Sequence, residues 1–213
     1  MGSFSNQHGA AIVTAVIKVV QENAKYLSEI DGAIGDGDHG INMNKAVTQA
    51  EARLAGQSVD MTNGLKTLSD IMMDDIGGSM GPLYGTFFRQ MFRVSRDKAE
   101  IDAELFNQML NRALASIKDI GSAKVGDKTM LDTLEPAVLA FEAKQKAGES
   151  FASALAAMKA AAEQGRDSTV DMVAKVGRSS RLGERSRGVL DAGATSCCLI
   201  LCAMADSITE LLE

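Results

Sequence analysis

The sequence predicts an all-α domain, because its composition and its patterning both favour helices over strands. Of the 213 residues, 46% are hydrophobic but only 4% are aromatic, with 12 Met and no Trp. This composition is typical of an aliphatic helical core. Only 2 Pro stand against 20 Gly, which indicates long helices joined by glycine loops. The length fits one domain over residues 1–213.

Hydrophobic periodicity justifies the first four helices. The first presents Ile12 and Val16 on one face, the third presents Leu65 and Leu68, and Pro82 suits the first turn of the fourth. The predicted bounds are residues 10–28, 41–54, 64–76 and 82–95.

The last four helices follow from the same periodicity. The seventh carries Phe151, Leu155 and Met158 at helical spacing, and the eighth is apolar as far as Asp206. We find no convincing strand. The predicted bounds are residues 101–120, 129–145, 150–175 and 193–212.

The seven connections between these helices alternate in character. The odd-numbered ones read DGAIGDGDHG, GGSMG, GSAKVGDK and GRSSRLGERSRGVLDAG, whereas the even-numbered ones read AGQSVDMTNG, RDKAE and KAGES. If the helices alternate up and down, all odd-numbered connections lie at one end. The order of the elements therefore predicts that glycines, aspartates, lysines and arginines gather at one end, which is the candidate functional site.

The net charge, the hydropathy pattern and the cysteines argue against several kinds of function. The net charge of −6 argues against nucleic-acid binding. We see no signal peptide and no apolar span of 18 residues, so we expect no membrane association. Cys197, Cys198 and Cys202 lie in one apolar run without C-x-x-C spacing, which indicates buried thiols in a reducing cytoplasm.

The first connection contains a glycine pattern that suggests a dinucleotide site. Gly35, Gly37 and Gly40 have G-x-G-x-x-G spacing. A Rossmann fingerprint needs a preceding strand, and a helix precedes it here. An EF-hand starting at Asp31 or Asp36 would lack the turn glycine and the bidentate glutamate. We therefore reject both interpretations.

A metal bridge accounts for both the glycines and the acids of this loop. Asp31, Asp36 and Asp38 can converge on one or two Mg²⁺ ions, which prefer carboxylate, phosphate and water ligands. The cation would then hold phosphates beside the N-terminus of the second helix, at His39 to Asn42. The alternative is a solvated Asx-Gly turn, which is common for such a short motif. Three further glycine loops at the same end favour the metal site.

The fifth connection, GSAKVGDKT, differs by one residue from a P-loop. Asp127 stands where Walker A needs its lysine, Lys128 follows one position later, and no strand precedes the motif. We therefore reject a P-loop and predict that Asp127 is the N-cap of the sixth helix.

The third and seventh connections also have two interpretations each. GGSMGPLYG is either an anion-binding helix terminus or a tight interhelical turn. The arginines of the seventh connection form either a solvated face or a charge stabiliser for phosphoryl transfer. We predict that Asp191 caps the eighth helix. The arginines are Arg178, Arg181, Arg185 and Arg187.

The histidines do not suggest a nucleophile and base pair. The chain has only His8, near the N-terminus, and His39, beside the predicted metal. A metal–nucleotide site without an evident base is typical of phosphoryl transfer, in which positioning and electrostatics dominate.

Four motifs, in order along essentially the whole chain, resemble the nucleotide-binding L subunit of bacterial dihydroxyacetone kinases of the phosphotransferase-system type. They are IGDGDHGINMNKA, GGSMGPLYGTFF, VGDKTMLDTLEP and GRSSRLGERSRGVLDAGATS. The resemblance implies an eight-helix antiparallel up-and-down barrel with the nucleotide–metal site at one end.

The resemblance also implies the functional residues. Asp31, Asp36 and Asp38 match the metal ligands, and Arg178 matches a catalytic and nucleotide-binding residue. The chain departs from the usual pattern at Met80, where serine is common. The nucleotide-binding positions are His39, Gly40, Ile41, Asn42, Ser79, Met80, Gly121, Met130, Arg178, Asp191, Ala192 and Gly193.

The implied activity is phosphoryl transfer through Mg²⁺-bound ADP and ATP to dihydroxyacetone, or a related short ketose, held on a partner K subunit. A phosphohistidine-carrying M subunit would rephosphorylate the bound ADP. Three alternatives stay open: a subunit that exchanges free ATP and acts on a tetrose or triose, a nucleotide-sensing regulator of a transcription factor, and a helical interaction protein.

Overall fold

Eight α-helices account for most of residues 2–212, the part of the chain that the computed structural model describes. All eight predicted helices are present, and α1 and α7 differ most from their predicted ends. The helices are α1 (Ala10–Ile34), α2 (His39–Leu54), α3 (Met61–Asp75), α4 (Met80–Ser95), α5 (Ala103–Ile120), α6 (Leu131–Lys146), α7 (Phe151–Ser168) and α8 (Ala192–Leu212). Two 3₁₀ segments, Thr169–Asp171 and Ser179–Ser186, lie between α7 and α8.

Helix α1 continues beyond its predicted end at residue 28. Ile30 and Ile34 extend its buried face by another turn, and this burial outweighs the low helix propensity of Gly32. Asp31 therefore lies on the last turn of a helix rather than in a loop, so its backbone is held rigidly.

Helix α7 ends at Ser168, earlier than predicted. The Ser168 hydroxyl donates to the Gly165 carbonyl at 2.7 Å, and the Thr169 hydroxyl donates to the Arg166 carbonyl at 2.6 Å. Such local side-chain bonds compete with helix propagation. After one 3₁₀ turn the chain is extended at Met172, so the predicted helical residues 172–175 belong to the connection that carries the arginines.

Two short antiparallel strands contradict the expectation of no strand. They are β1 (Ser3–Ser5) and β2 (Glu100–Asp102), with buried Phe4 opposite buried Ile101. Three residues each are too few for an alternating pattern to be recognised.

The helices form a closed ring, because each contacts the next along the chain and α8 contacts α1. Contacts between Arg178 and Asp36, between Lys128 and Val189, and between Tyr84 and Gly193 join the odd-numbered connections or the helices that follow them. These connections therefore lie at one end, which we call the loop end. The ring is filled by aliphatic side chains and methionines. A cluster of aromatic rings, in which Phe106 and Phe141 have centroids 5.4 Å apart, joins α5, α6 and α7.

Helix α8 is long and apolar enough to cross a membrane by length and composition, contrary to the sequence-based expectation. Just over half of its most apolar window is buried within the domain, and it packs against α1 and α7. Leu201 and Ile208 are fully buried there, so α8 serves as a core helix. All three cysteines are free. Cys197 and Cys198 are buried as predicted, whereas Cys202 is only partly buried.

Candidate functional site at the loop end

The three predicted metal ligands come together at the loop end. Asp31 lies on the last turn of α1, Asp36 lies in the following loop, and Asp38 directly precedes α2. One carboxylate oxygen from each lies within 4.8 Å of the other two. Carboxylates at this separation repel one another in the absence of a cation. The cluster therefore fits a hard divalent ion such as Mg²⁺, which takes carboxylate oxygens as ligands.

Close packing and backbone conformation require the three glycines of the apparent dinucleotide fingerprint. A Cβ at Gly35 would lie 2.5 Å from an Asp31 carboxylate oxygen, and Gly37 adopts a left-handed φ of 77°. At Gly40 a Cβ would overlap the Ala24 carbonyl oxygen and lie 2.6 Å from the Ser28 Oγ. The first two glycines shape the acidic loop, and the third lets α2 cross close to α1.

The N-terminus of α2 lies beside the carboxylate cluster. The His39 N–H donates to Asp31 Oδ2 at 3.3 Å, and the Asn42 N–H donates to the Asp38 carbonyl at 2.9 Å. The first amides of a helix lack acceptors within the helix and favour anions. Ile41, in this first turn, is 65% exposed, whereas His39 and Gly40 are buried, so the turn predicted to bind phosphate is accessible in part.

The His39 side chain points away from solvent into a buried network. Its Nε2 lies 2.8 Å from the Ser196 Oγ, which lies 2.5 Å from the Tyr84 hydroxyl. Tyr84 in turn donates to the Gly193 carbonyl at 3.2 Å. Burial lowers the pKa of His39 to about 4, against the opposing effect of Asp31. The imidazole is therefore neutral and links α2, α4 and α8.

Arg178 reaches the carboxylate cluster from the seventh connection. Its guanidinium forms an ion pair with Asp36. A cleft of about 360 Å³ opens between this connection and the end of α1, lined by Ala33, Ile34, Gly35, Asp36, Arg178, Arg181 and Leu182. Arg187 instead pairs with Glu184 at 3.0 Å. Of the four predicted arginines, the structure brings Arg178 and Arg181 to the cleft.

The N-termini of α8 and α6 meet next to this network. As predicted, Asp191 caps α8, because its Oδ2 accepts from the Ala194 N–H at 2.7 Å. Gly193 lies against α6, since a Cβ there would be 3.6 Å from the Met130 nitrogen. Ala192, also a predicted nucleotide-binding position, is buried. Burial raises the pKa of Asp191 to about 6.

Asp127 does not cap α6, contrary to the prediction. Its carboxylate accepts from the Lys124 N–H at 3.0 Å and pairs with Lys175 at 3.3 Å. The pKa of Asp127 is lowered, and the hydrogen bond from Lys124 is the main cause. The Thr129 Oγ1 instead accepts from the Leu131 N–H, the first amide of α6, at 3.2 Å. The two oxygens of Asp132 accept from the N–H groups of Gly126 and Thr129, in the loop before α6, at 2.5 and 2.7 Å. The chain turns once more before α6 begins, which separates Asp127 from the helix.

Two predicted nucleotide-binding positions are not tied to the cluster. Ser79 and Gly121 are exposed in the third and fifth connections, and no hydrogen bond within residues 2–212 joins either to the three aspartates. Met80 packs partly against the core. These positions share the loop end, and their role stays a prediction.

Sequence reasoning missed three polar residues of this end. Tyr84 and Ser196 lie in the apolar faces of α4 and α8, where periodicity predicts only core. Lys128 is fully buried, and the rejected P-loop pattern gave it no other role. The spacing of Thr129 and Asp132, typical of a helix N-terminus, is the signal that could have revealed the capping arrangement.

These features define a class of protein: an all-helical ring whose odd-numbered connections build one acidic, glycine-rich site beside helix N-termini. The chain belongs to the DAK2 domain family, whose model matches residues 33–206. The matched relatives are kinases or kinase subunits, in agreement with the resemblance found in the motifs.

Two relatives show the range of the family. The chain is 39% identical to the ADP-binding subunit DhaL of PEP-dependent dihydroxyacetone kinase 1 from Listeria innocua serovar 6a, over 87% of this chain and 88% of the relative. It is 34% identical to the L-erythrulose kinase of Pectobacterium atrosepticum, over 92% of this chain but 34% of that larger protein.

A solved structure shares the fold. It is the dihydroxyacetone kinase from C. freundii in complex with AMP-PNP and Mg²⁺, with a TM-score of 0.69 and 26% identity. The match covers 93% of this chain and 33% of that one, so this chain corresponds to one part of a larger kinase.

Proposed function

We propose that this chain is the nucleotide-binding subunit of a dihydroxyacetone kinase. It binds ADP and ATP with Mg²⁺ at the loop end and passes the terminal phosphoryl group to dihydroxyacetone or a related short ketose on a partner subunit. The Listeria relative, named as an ADP-binding subunit and matched over 88% of its length, supports this proposal.

The convergence of Asp31, Asp36 and Asp38 within 4.8 Å carries the proposal. Carboxylates and nucleotide phosphates repel each other unless a cation lies between them, and Mg²⁺ binds both kinds of oxygen. One or two ions at this cluster would hold the phosphates against the N-terminus of α2. A nucleotide phosphate is therefore the ligand that explains both the acids and the adjacent helix terminus.

The other residues of the site have roles suited to phosphoryl transfer, in which charge stabilisation and positioning dominate. The N-terminus of α2 favours phosphate oxygens. Arg178, which pairs with Asp36, is placed to neutralise charge on a transferred phosphoryl group. The neutral, buried His39 orients the turn and does not serve as a base.

The sugar and the phosphoryl donor distinguish two versions of the proposal. In the first, a K subunit holds dihydroxyacetone and a phosphohistidine-carrying M subunit recharges bound ADP. In the second, ATP exchanges freely and the substrate is a tetrose, an alternative favoured by the similarity to an L-erythrulose kinase. Mass spectrometry of small molecules released from the pure protein separates them, because near-equimolar ADP is expected only in the first.

Calorimetric titration with ADP, with and without Mg²⁺, tests the site itself. Asp38→Asn keeps the shape of the side chain but removes one negative charge. We expect it to weaken Mg²⁺-dependent ADP binding at least about 100-fold, beyond the range usual for outer-shell groups. Glu22→Gln is the matched control, because Glu22 lies exposed on α1 in a surface ion pair with Lys18 at 3.8 Å.

Two results would contradict the proposal. The first is wild-type protein that binds ADP equally well in EDTA and in Mg²⁺. The second is an Asp38→Asn variant with wild-type affinity, which would remove the carboxylate cluster from the binding site.

A further inference from the structure

We propose that Lys128 is a positioning residue that fastens the arginine loop, residues 172–189, and so sets where Arg178 meets the metal and nucleotide. The inference rests on the proposed function, since it assigns a role within that site. Lys128 lies outside the carboxylate cluster and does not itself reach the cleft.

Three backbone carbonyls converge on the ammonium group of Lys128. Its Nζ donates to the carbonyl oxygens of Met172 at 3.3 Å, Ser186 at 2.6 Å and Val189 at 2.5 Å. An ammonium has three N–H donors, so all three are used. The three acceptors come from the beginning and the end of the arginine loop, and one side chain therefore closes that loop at its base.

The burial and the backbone conformation of Lys128 are both energetically unfavourable, so the surrounding structure must stabilise them. The residue is 2% exposed, although lysine is rarely buried without a partner. Its backbone φ of 63° is uncommon for a residue with a side chain. Strain of this kind is maintained only where the surroundings stabilise it. The nearby carboxylate of Asp191 favours the charged amine against the desolvation that lowers its pKa.

Further hydrogen bonds reinforce the base of the loop. The Ala174 N–H donates to the Ser186 Oγ at 2.9 Å, the Lys175 N–H donates to the Asp127 carbonyl at 3.1 Å, and the Gly188 N–H donates to the Val170 carbonyl at 2.7 Å. These bonds surround the three carbonyls that Lys128 holds. The base is thus a connected network with Lys128 at its centre.

The tip of the loop, residues 176–185, is attached differently. Among residues 2–212, its hydrogen bonds and ion pairs stay within the arginine loop, except for the pair between Arg178 and Asp36. Two glycines within the tip, Gly177 and Gly183, and Gly188 just after it adopt left-handed φ values. The position of Arg178 is therefore set by the base that Lys128 fastens, by its own contact with the acidic cluster and by the packing of the 3₁₀ segment Ser179–Ser186 against α1.

A double-mutant cycle tests this role. Lys128→Met keeps the length of the side chain but removes the three donors. We expect it to weaken Mg²⁺-dependent ADP binding about tenfold, as when one charge-assisted contact is lost, and to speed amide exchange across the loop. In an Arg178→Met background the same change should weaken binding no further, because Lys128 acts through Arg178.

Lys144→Met is the control, since Lys144 forms an exposed ion pair with Glu149 at 2.8 Å at the opposite end. It should leave binding and loop exchange unchanged. A purely structural role for Lys128 would lower stability and give additive effects of Lys128→Met and Arg178→Met on ADP affinity. Additive effects would overturn the proposal.

Hydrogen exchange of the wild-type protein in EDTA decides the matter if Lys128→Met does not fold. The amides of Ala174, Lys175 and Gly188 should exchange slowly, and those of the tip quickly. Equal exchange rates at the base and at the tip would mean that the base is no more ordered than the tip, which would contradict the proposal. Wild-type protein that does not bind ADP with Mg²⁺ would overturn the proposed function, whereas the exchange pattern would still show whether the base of the loop around Lys128 is ordered.

Discussion

At the scale of single residues, the carboxylate of Asp191 stabilises the N-terminus of α8 but is itself buried, which disfavours its charged form. Its carboxylate accepts from the first turn of α8, but burial raises its pKa from 3.8 to about 6. Asp132 and Asp31 add to this rise, while Lys128 opposes it. The folded protein therefore holds more protons at Asp191 than the unfolded chain between about pH 4 and pH 6.

This difference in proton binding predicts that Asp191→Asn increases the stability of the fold by an amount that depends on pH. Because the folded-state pKa lies above the unfolded one, the contribution of Asp191 to stability falls as pH rises through this window. Asparagine still offers an oxygen to the Ala194 N–H but carries no charge. We expect the variant to be more stable than wild type at pH 7.5, by on the order of 2 kcal/mol, and to lose this advantage near pH 4.

Urea unfolding in EDTA over this pH range measures the effect. Asp60→Asn is the control, because Asp60 caps α3 through the Asn63 N–H at 2.7 Å in an exposed setting at the opposite end. An Asp191→Asn variant that is less stable than wild type at every pH would show that the carboxylate stabilises the fold in its charged form.

At the scale of elements, the approach of α1 and α2 brings the predicted metal ligands together. Asp31 is carried by the end of α1 and Asp38 by the start of α2. Gly40 allows the two helices to approach, since no side chain separates it from the backbone of Ala24 and Ser28. The helix crossing and the carboxylate cluster are therefore coupled.

Gly40→Ala should disrupt both features. The added methyl group would collide with backbone atoms, which cannot rotate away, so α2 must shift. We expect a loss of about 2 to 3 kcal/mol in the free energy of unfolding and weaker Mg²⁺-dependent ADP binding. Chemical denaturation and calorimetry provide the two readouts.

Gly77→Ala is the matched control in the third connection, because a Cβ there meets nothing within 4 Å. It should change stability little. Equal effects of the two substitutions would mean that Gly40 matters for backbone entropy rather than for the approach of the helices.

At the scale of the whole molecule, the two ends of the ring differ in chemistry. The loop end gathers the acidic cluster, the arginine loop and the N-termini of α2, α4, α6 and α8. The opposite end contains the strand pair, exposed His8 and a cleft of about 450 Å³ lined by polar and charged residues such as Lys66 and Arg96. His39, at the loop end, is buried and hydrogen-bonded.

This division predicts that the chain alone, given ATP and dihydroxyacetone, makes no sugar phosphate above background. Neither histidine is placed to hold a carbonyl substrate beside the acidic cluster, and the cleft there is lined by Asp36, Arg178 and Arg181. We therefore expect the substrate to arrive on a second protein, which would bring the reacting atoms together and exclude water. A coupled assay for sugar phosphate measures this.

Adding a K subunit should restore turnover and slow amide exchange in the arginine loop. An Asp38→Asn chain added with the same K subunit is the control and should remain inactive. Steady turnover by the wild-type chain alone would place the sugar site within these 213 residues and contradict the division of labour.

The sequence by itself determined the number and order of the helices, because each buries one apolar stripe and this periodicity is local. The alternation of glycine-rich and plain connections predicted which end would carry the functional site. The structure brings Asp31, Asp36 and Asp38 together at that end, and their role as metal ligands stays a prediction. The cap at Asp191 was also local enough to predict, since a cap involves only the next three residues.

Only the tertiary structure decided what depends on contacts between distant segments. Packing extended α1 so that Asp31 lies on a helix, and it gave Gly40 a role in helix crossing. The links from His39 to Ser196 and from Lys128 to Val189 span 157 and 61 positions, and neither leaves a periodic or spacing signal. Buried polar groups find partners wherever the fold brings them, so their roles emerge only when the ring has closed.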